Sequence, residues 1–461
     1  MRTHLTRVAV GIAALALAGA ALAGDFSAGS AGLGDPMFPN AGNGGYDVQH
    51  YDLTLDYTPG SNQLAATAVV GATATQGLSS FDLDFRWPQS GIARVLVNGK
   101  PAAFARSGEQ ELVVTPKSGL SAGSKFAVTV DYAGTPLVVT GPDTSIEGWI
   151  PTDDGAFVVN EPQGSPAWFP CNDNPRDKAT YDFSITVPNG ITAMANGVLV
   201  SSTTSGAKTT WVWKEAEPMA TYLSTTTLGR FDLTTSTIGN IQSYVAVDPQ
   251  LAKGQVLDKL PAAVEFYSSI YGPYPFSSVG AIVDSAKNVG YSLETQTKPN
   301  FPYVPNEATL VHELSHQWFG DSVTLTQWPD IWLHEGFATF SEWIWSEHEG
   351  NKSAAQWFKQ LYDSHPATDT PFWGPAVDNF TDPSLLFNGT VYYRGGMTLE
   401  ALREKIGDVT FFALLKDWVR LNRFGTVTTP QFIALAERES GQSLKAFFDA
   451  WIYQDAKPTS W

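Results

Sequence analysis

Two histidines four residues apart, His312 and His316, enclose Glu313, and Glu335 follows after 18 intervening residues. On a helix, positions i and i+4 lie one turn apart on one face, so both imidazoles can reach a single metal ion. Glu313 stands about 100° round that helix, near enough to take a proton from a water that the metal activates. Glu335 supplies a third ligand. A His2Glu set leaves the fourth tetrahedral position open, which describes a catalytic rather than a structural zinc site. The chemistry implied is hydrolysis, with one Zn2+ per chain as cofactor and Glu313 as general base. A chance match to a short pattern is the bland alternative. It leaves unexplained why a second acidic helical stretch, WLHEGFATFSEWIW, arrives where a third ligand is required in a chain with only seven histidines.

The elements that must carry these residues are legible in the periodicity. From residue 256 the apolar positions recur at i, i+3 and i+4, which predicts a helix over 256–271. A strand is expected at 279–284. Further helices are expected at 306–319, 331–348, 353–364, 394–405, 409–422, 430–439 and 443–453, the one at 430 with Thr429 as its N-cap and proline at the first helical position. The metal motif therefore falls on the first helix after the strand, and Glu335 on the second. Upstream the period is two: Tyr51, Leu53, Leu55 and Tyr57 alternate with Asp52, Thr54 and Asp56, and Phe126, Val128, Val130 and Tyr132 repeat the device. Asn98-Gly99 and Asn196-Gly197 read as hairpin turns. Residues 46–243 are thus expected to form an all-β, sandwich-like domain, and residues 244–461 a mainly α domain that holds the metal.

The first 23 residues have the form of a secretory signal peptide. Arg2 and Arg7 precede an apolar, Ala-rich run over 8–20, and Ala21-Leu22-Ala23 offers a cleavage site before Gly24. Export to the periplasm or beyond the cell is expected, with no stable membrane association, since no stop-transfer segment appears later. Residues 24–45 are rich in Gly, Ala and Ser and read as a flexible mature N-terminus. A formal charge of −18 disfavours nucleic acid and anionic membrane as partners. Cys171 is the only cysteine, so no intramolecular disulfide can form.

Three further stretches carry a resemblance. HELSHQW, GDSV and DIWLHEGFA, in that order, are similar to the aminopeptidase N family of gluzincin metallopeptidases, and the likeness runs over roughly residues 46–461. It implies a β domain followed by a thermolysin-like (α+β) catalytic domain acting on peptides with a free N-terminus. GYSLETQ (290–296) resembles the family's Gly-x-Met-Glu-Asn loop, which lays backbone along the substrate and a glutamate on its amine; Glu294 is the matching acid, with Tyr291 and Ser292 beside it in place of the commonest residues. EPQGSPAWFPCNDNP (161–175) resembles the run that ends Phe-Pro-Cys-x-Asp-x-Pro, and Glu161 falls at the position of a second amine ligand. VYYRGGM (391–397) resembles the Tyr-x-Lys/Arg-Gly element, which makes Tyr392 the donor to the developing oxyanion and Tyr393 a packing neighbour.

Two carboxylates round one ammonium would favour the charged amine and reject an internal peptide segment, which carries no such charge. The expectation is a secreted zinc aminopeptidase. A thermolysin-like endopeptidase with the same metal set would instead cleave N-blocked peptides, and an inactive extracellular binding module would show damage at the ligands or base. The family usually has Asn where His334 stands; adjacent helical residues diverge by about 100°, so His334 is expected to face away from the metal. Glu342, two turns beyond Glu335, is either an orienting partner of a ligand or a surface acid. About 65 residues follow the Tyr392 element, too few for the long helical C-terminal domain of larger relatives, so a short form with a more open site is expected.

Overall fold

The computed structural model describes residues 26–251, 254–378 and 380–460; the signal-peptide reading lies outside them. The alternation at Tyr51–Tyr57 builds the middle of an eight-stranded sheet. Strand Tyr46–Thr58 pairs antiparallel with Gln63–Ala74 and parallel with Lys178–Pro188. Tyr51, Leu53, Leu55 and Tyr57 are fully buried while the intervening acids and threonine face outward, as a half-buried strand requires. The inner face meets a five-stranded sheet: Tyr57 packs edge-on against Trp149 of strand Ile146–Pro151 at 4.9 Å between ring centroids. A four-stranded sheet closes the other end, where Phe81 of Leu78–Asp84 meets Tyr46 at 5.7 Å. A strand-rich N-terminal part followed by a helical catalytic part is thus the architecture.

Four expectations are corrected. Residues 26–45 are not a loose tail: Met37, Phe38, Ala41 and Asn43 are buried, Asp35 accepts from the Trp328 backbone N–H at 2.9 Å, and Phe38 packs on the Trp328 ring at 6.0 Å. A few apolar anchors suffice to fix a Gly-rich segment whose composition alone reads as mobile. The division at 243/244 cuts a strand. Ile241–Val247 pairs back with Asp232–Ile238 and forward, in parallel, with Ser278–Val283, so the sheet of the catalytic half begins at Asp232. Period-two alternation marks a strand without saying which sheet it joins. Asn98-Gly99 is a tight turn with both residues at positive φ, but Asn196-Gly197 joins strands of two different sheets because the Asn196 side chain is wholly buried in a hydrogen-bond network. Finally, the N-cap near 430 is Thr428, in a capping box with Gln431, while Thr429 is the first helical residue and bonds Asp330 instead.

The helix Trp332–His348 is the axis of the catalytic half, with thirteen of its 17 residues buried. It packs against Glu307–Ser315 on one side and Gly395–Ile406 on the other. Gly336 and Gly395 make the second contact possible: a Cβ on Gly336 would lie 2.8 Å from the Gly395 Cα. That approach draws the segment carrying Tyr392 down beside Glu335. Residues Thr390–Arg394 wind as a π-turn directly into Gly395–Ile406, and the fully buried Arg394 holds it by donating to the carbonyls of Trp451, Trp373 and Ala450. A π-turn inside a helical run is uncommon and concentrates at functional sites. Among the described residues no helix is long and apolar enough to cross a membrane.

Candidate active site

The helix Glu307–Ser315 starts on Asn306, whose side chain accepts from the Thr309 N–H, and projects His312 and His316 one turn apart with ring centroids 4.9 Å from each other. Glu335 comes in from Trp332–His348. Its Oε2 lies 3.1 Å from His312 Nε2 and 3.5 Å from His316 Nε2. Donors at about 2.0–2.1 Å round a tetrahedral zinc are themselves roughly 3.3 Å apart, so the spacing suits the ion. The tautomers suit it as well. His316 Nδ1 donates to the Phe319 carbonyl at 3.1 Å and His312 Nδ1 to Glu342 Oε1 at 2.6 Å. Each ring therefore spends its proton on the far nitrogen and turns a lone pair at Nε2 toward Glu335, the usual arrangement of a histidine metal ligand. Burial opposes ionisation of Glu335, but His316 and His312 beside it, when protonated, outweigh it and hold the carboxyl well below the ordinary carboxylate range. Glu342 is accordingly the orienting partner of His312 and not a free surface acid.

His334 is fully buried and faces elsewhere: its Nε2 accepts from the Leu325 N–H at 3.0 Å, and burial pushes its pKa down to about 3. Glu313 lines the same cleft as the ligands, and its pKa is pushed up to about 8 by burial, against the pull of His312 and His316. Tyr392 lies nearly parallel to the His312 ring at 6.0 Å. Burial raises its phenol further above the usual value, so it is a neutral donor. Tyr393 is 48% exposed and is not among the residues that line the cleft.

The cleft has a volume of about 490 Å3 and is lined by Asp143, Glu161, Glu294, Glu313 and Glu335 with no lysine or arginine among its described residues. Glu161 reaches it from the β half and Glu294 from the loop after strand Ser278–Val283. Both are almost wholly buried, and one oxygen of each, Oε1, has no hydrogen-bond partner among the described residues. Burial first, then Glu294, Glu335 and Glu313, raise the Glu161 carboxyl well above its ordinary value; burial raises Glu294 as well. Tyr291 donates to the Ile146 carbonyl at 3.0 Å and so closes the loop against the β half. Ser292 Oγ is buried in the cleft wall without a partner among the described residues. All nine residues expected at the site, His312, Glu313, His316, Glu335, Tyr392, Glu161, Glu294, Tyr291 and Ser292, line this one cleft. Phe387 and Asp143 line it too and were not legible beforehand; neither lies in a motif.

Residues 48–223 match the Peptidase M1 N-terminal domain and residues 293–451 the Peptidase family M1 domain. Among curated relatives, aminopeptidase M1-D of Oryza sativa subsp. japonica is 27% identical over 63% of this chain and 36% of its own length. Glutamyl aminopeptidase of Sus scrofa is 26% identical over 89% of this chain and 47% of its own length. The chain spans about a third to a half of the length of the curated relatives it matches. Among solved structures, an M1 zinc metallopeptidase from Deinococcus radiodurans superposes with a TM-score of 0.84 at 28% identity, covering 93% of this chain and 98% of that one. A mutant of the same enzyme bound to a Tyr-Ser-Ala substrate superposes with a TM-score of 0.83 at 28% identity, over 91% of this chain and 97% of that one.

Proposed function

The chain belongs to peptidase family M1, the aminopeptidase N family of gluzincin zinc metallopeptidases, and from that premise we propose that it is a secreted aminopeptidase that removes the first residue from peptides. The observation that carries the reading is the pair of buried carboxylates, Glu161 and Glu294, each with one oxygen unpartnered among the described residues, in a cleft that they share with the metal-ligand triad and whose described lining holds no lysine or arginine. An α-ammonium is the cation of matching size that a peptide brings to such a site.

His312, His316 and Glu335 would hold one zinc ion per chain, and bound zinc supplies Lewis acidity to the scissile carbonyl and to water. Glu313 accepts the proton of the attacking water and returns it to the departing amine. Its buried setting keeps its basicity near neutrality, where a shuttling group works best. Tyr392 donates its phenol proton in a hydrogen bond to the carbonyl oxygen as negative charge develops there; a donor held neutral binds the charged state more tightly than the ground state. Glu161 and Glu294 grip the free amine and so set the cut one residue from the end. Tyr291 and Ser292 line the wall along which the first residue lies. Residues 1–23 support export before the peptidase acts.

The test compares free and N-acetylated aminoacyl substrates with and without a zinc chelator. Chelator-sensitive turnover of the free amines alone is expected. Comparable rates on the acetylated compounds would refute the reading in favour of an endopeptidase.

A further inference from the structure

The glutamate assigned to the amine stands on a turn, and a turn can place a carboxylate accurately only if something holds both its ends. Leu293 and Asn300 bond each other through both backbone groups, at 2.9 and 2.7 Å, and close the segment between them into a loop. Inside it, residues 294–298 are all buried. Thr297 sits at φ +70°, a conformation that a β-branched residue adopts only when its surroundings impose it.

What imposes it is Gln317, the residue immediately after the ligand His316. Its Nε2 donates to the Glu294 carbonyl at 3.0 Å and its Oε1 accepts from the Thr297 N–H at 2.7 Å. One fully buried amide thus clasps the turn on both sides of residues 295 and 296. The partners dictate the orientation of the amide, since a carbonyl cannot donate and an N–H cannot accept. The β half adds an outer hold: Asn196 Nδ2 donates to the Gln296 carbonyl at 2.7 Å, and the Gly197 N–H donates to Thr297 Oγ1 at 2.8 Å. The metal helix, the amine loop and the β half are therefore joined through one contiguous set of buried hydrogen bonds.

We infer that Gln317 is a positioning residue that fixes the distance between the amine carboxylate of Glu294 and the metal ligands, and so sets the register of cleavage. The inference rests on the proposed amine role of Glu294. Only an amide of this length does the work. Leucine fills the space and makes neither bond; asparagine keeps the polarity but is shorter by one methylene and cannot span both partners.

The experiment is a double-mutant cycle on the zinc-loaded full chain with Gln317→Leu and Glu294→Gln, read as kcat/KM on a free aminoacyl substrate, with zinc content and thermal midpoint measured alongside. Gln317→Leu alone is expected to lower kcat/KM ~10–100-fold with zinc retained, because a misplacement of about 1 Å at a reacting centre can cost that much. Added to Glu294→Gln it is expected to cost less than about threefold more, since a residue acting through Glu294 has little left to disturb. A purely structural role gives additive losses, or loss of zinc, and either overturns the inference. Should Gln317→Leu not fold, Gln317→Asn takes its place in the same cycle and is judged by the same outcomes. If Glu294→Gln leaves the wild-type rate on free amines unchanged, the amine reading itself fails and the clasp falls with it. A damaging Glu294→Gln with an additive pair overturns the clasp alone.

Discussion

The two walls of the cleft are buried to a similar degree and carry the same sign of charge, yet they are finished differently. On the metal wall the far nitrogen of each imidazole is engaged, His312 Nδ1 with Glu342 and His316 Nδ1 with the Phe319 carbonyl, which leaves both Nε2 lone pairs beside Glu335 for an ion. On the amine wall Glu161 and Glu294 each keep a buried oxygen without a partner among the described residues. A buried carboxylate with no cation opposes folding, so the second wall is stabilised only when a positive group arrives. On the proposed function, one wall is completed by the chain and its ion, the other by substrate.

The sharpest way to test that division is to remove the base without touching either wall. Glu313→Gln is expected to keep full zinc content while turnover falls by ~10^3-fold or more, at the upper end of what a general base contributes. A variant with near-normal kcat would break the mechanism. Next in size, Tyr392→Phe is expected to lower kcat by about 10^2-fold, the cost of one oxyanion donor, with little change in KM. Tyr393→Phe serves as its control: Tyr393 is exposed and does not line the cleft, so its rates should match wild type. Equal losses in the two variants would remove Tyr392 from its role.

The amine wall should answer differently. Glu161→Gln and Glu294→Gln are each expected to lower kcat/KM on free amines by about 10–100-fold while leaving the residual rate on N-acetylated substrates unchanged. The free-to-acetylated ratio, measured for each variant, is the quantity that must fall; an unchanged ratio would make the two walls functionally alike. Zinc removal offers the opposite sign in stability. Because the ion binds only the assembled triad, a chelator is expected to lower the thermal midpoint, whereas neutralising an amine-wall glutamate is expected to raise it.

The metal wall was legible because its residues are close in the chain and helical period alone brings His312 and His316 to one face. Glu335 followed from its helix. Glu161 and Glu294 became legible through resemblance to a family, since no local period relates positions 133 residues apart. What lay beyond reach was long-range pairing. Nothing in the sequence says that Gln317 will bond Glu294 and Thr297, that Asn196 will bond Gln296, or that Asp35 will cap Trp328 from 293 residues away. Composition misjudged residues 26–45 for the same reason, because a few anchors such as Phe38 and Asn43 outweigh many glycines. The π-turn at Tyr392 was hidden too: its sequence reads as the start of an ordinary helix, and the buried Arg394 that holds the turn does so through four distant carbonyls, those of Trp451, Trp373, Ala450 and Gln454.

The smallest effect is the most discriminating, and it lies in pH. Burial, reinforced by Glu294, Glu335 and Glu313, holds the Glu161 carboxyl well above its ordinary value. The folded protein therefore binds that proton more tightly than the unfolded chain, in which the group titrates at ~4.3. Between the two values the folded state carries more protons, so stability falls as pH rises through the interval. This is the reverse of an acid paired with a cation, whose contribution is lost as pH falls. Glutamine carries no charge at any pH. The thermal midpoint of Glu161→Gln should thus lie close to wild type near pH 4 and exceed it by a few degrees near pH 8, the gap opening steadily between. A saturating amine-bearing inhibitor should close that gap, because it gives the wild-type carboxylate a cationic partner. Parallel midpoint curves across the range, with or without inhibitor, would mean that Glu161 imposes no burial cost and that the amine wall, like the metal wall, is complete before substrate arrives.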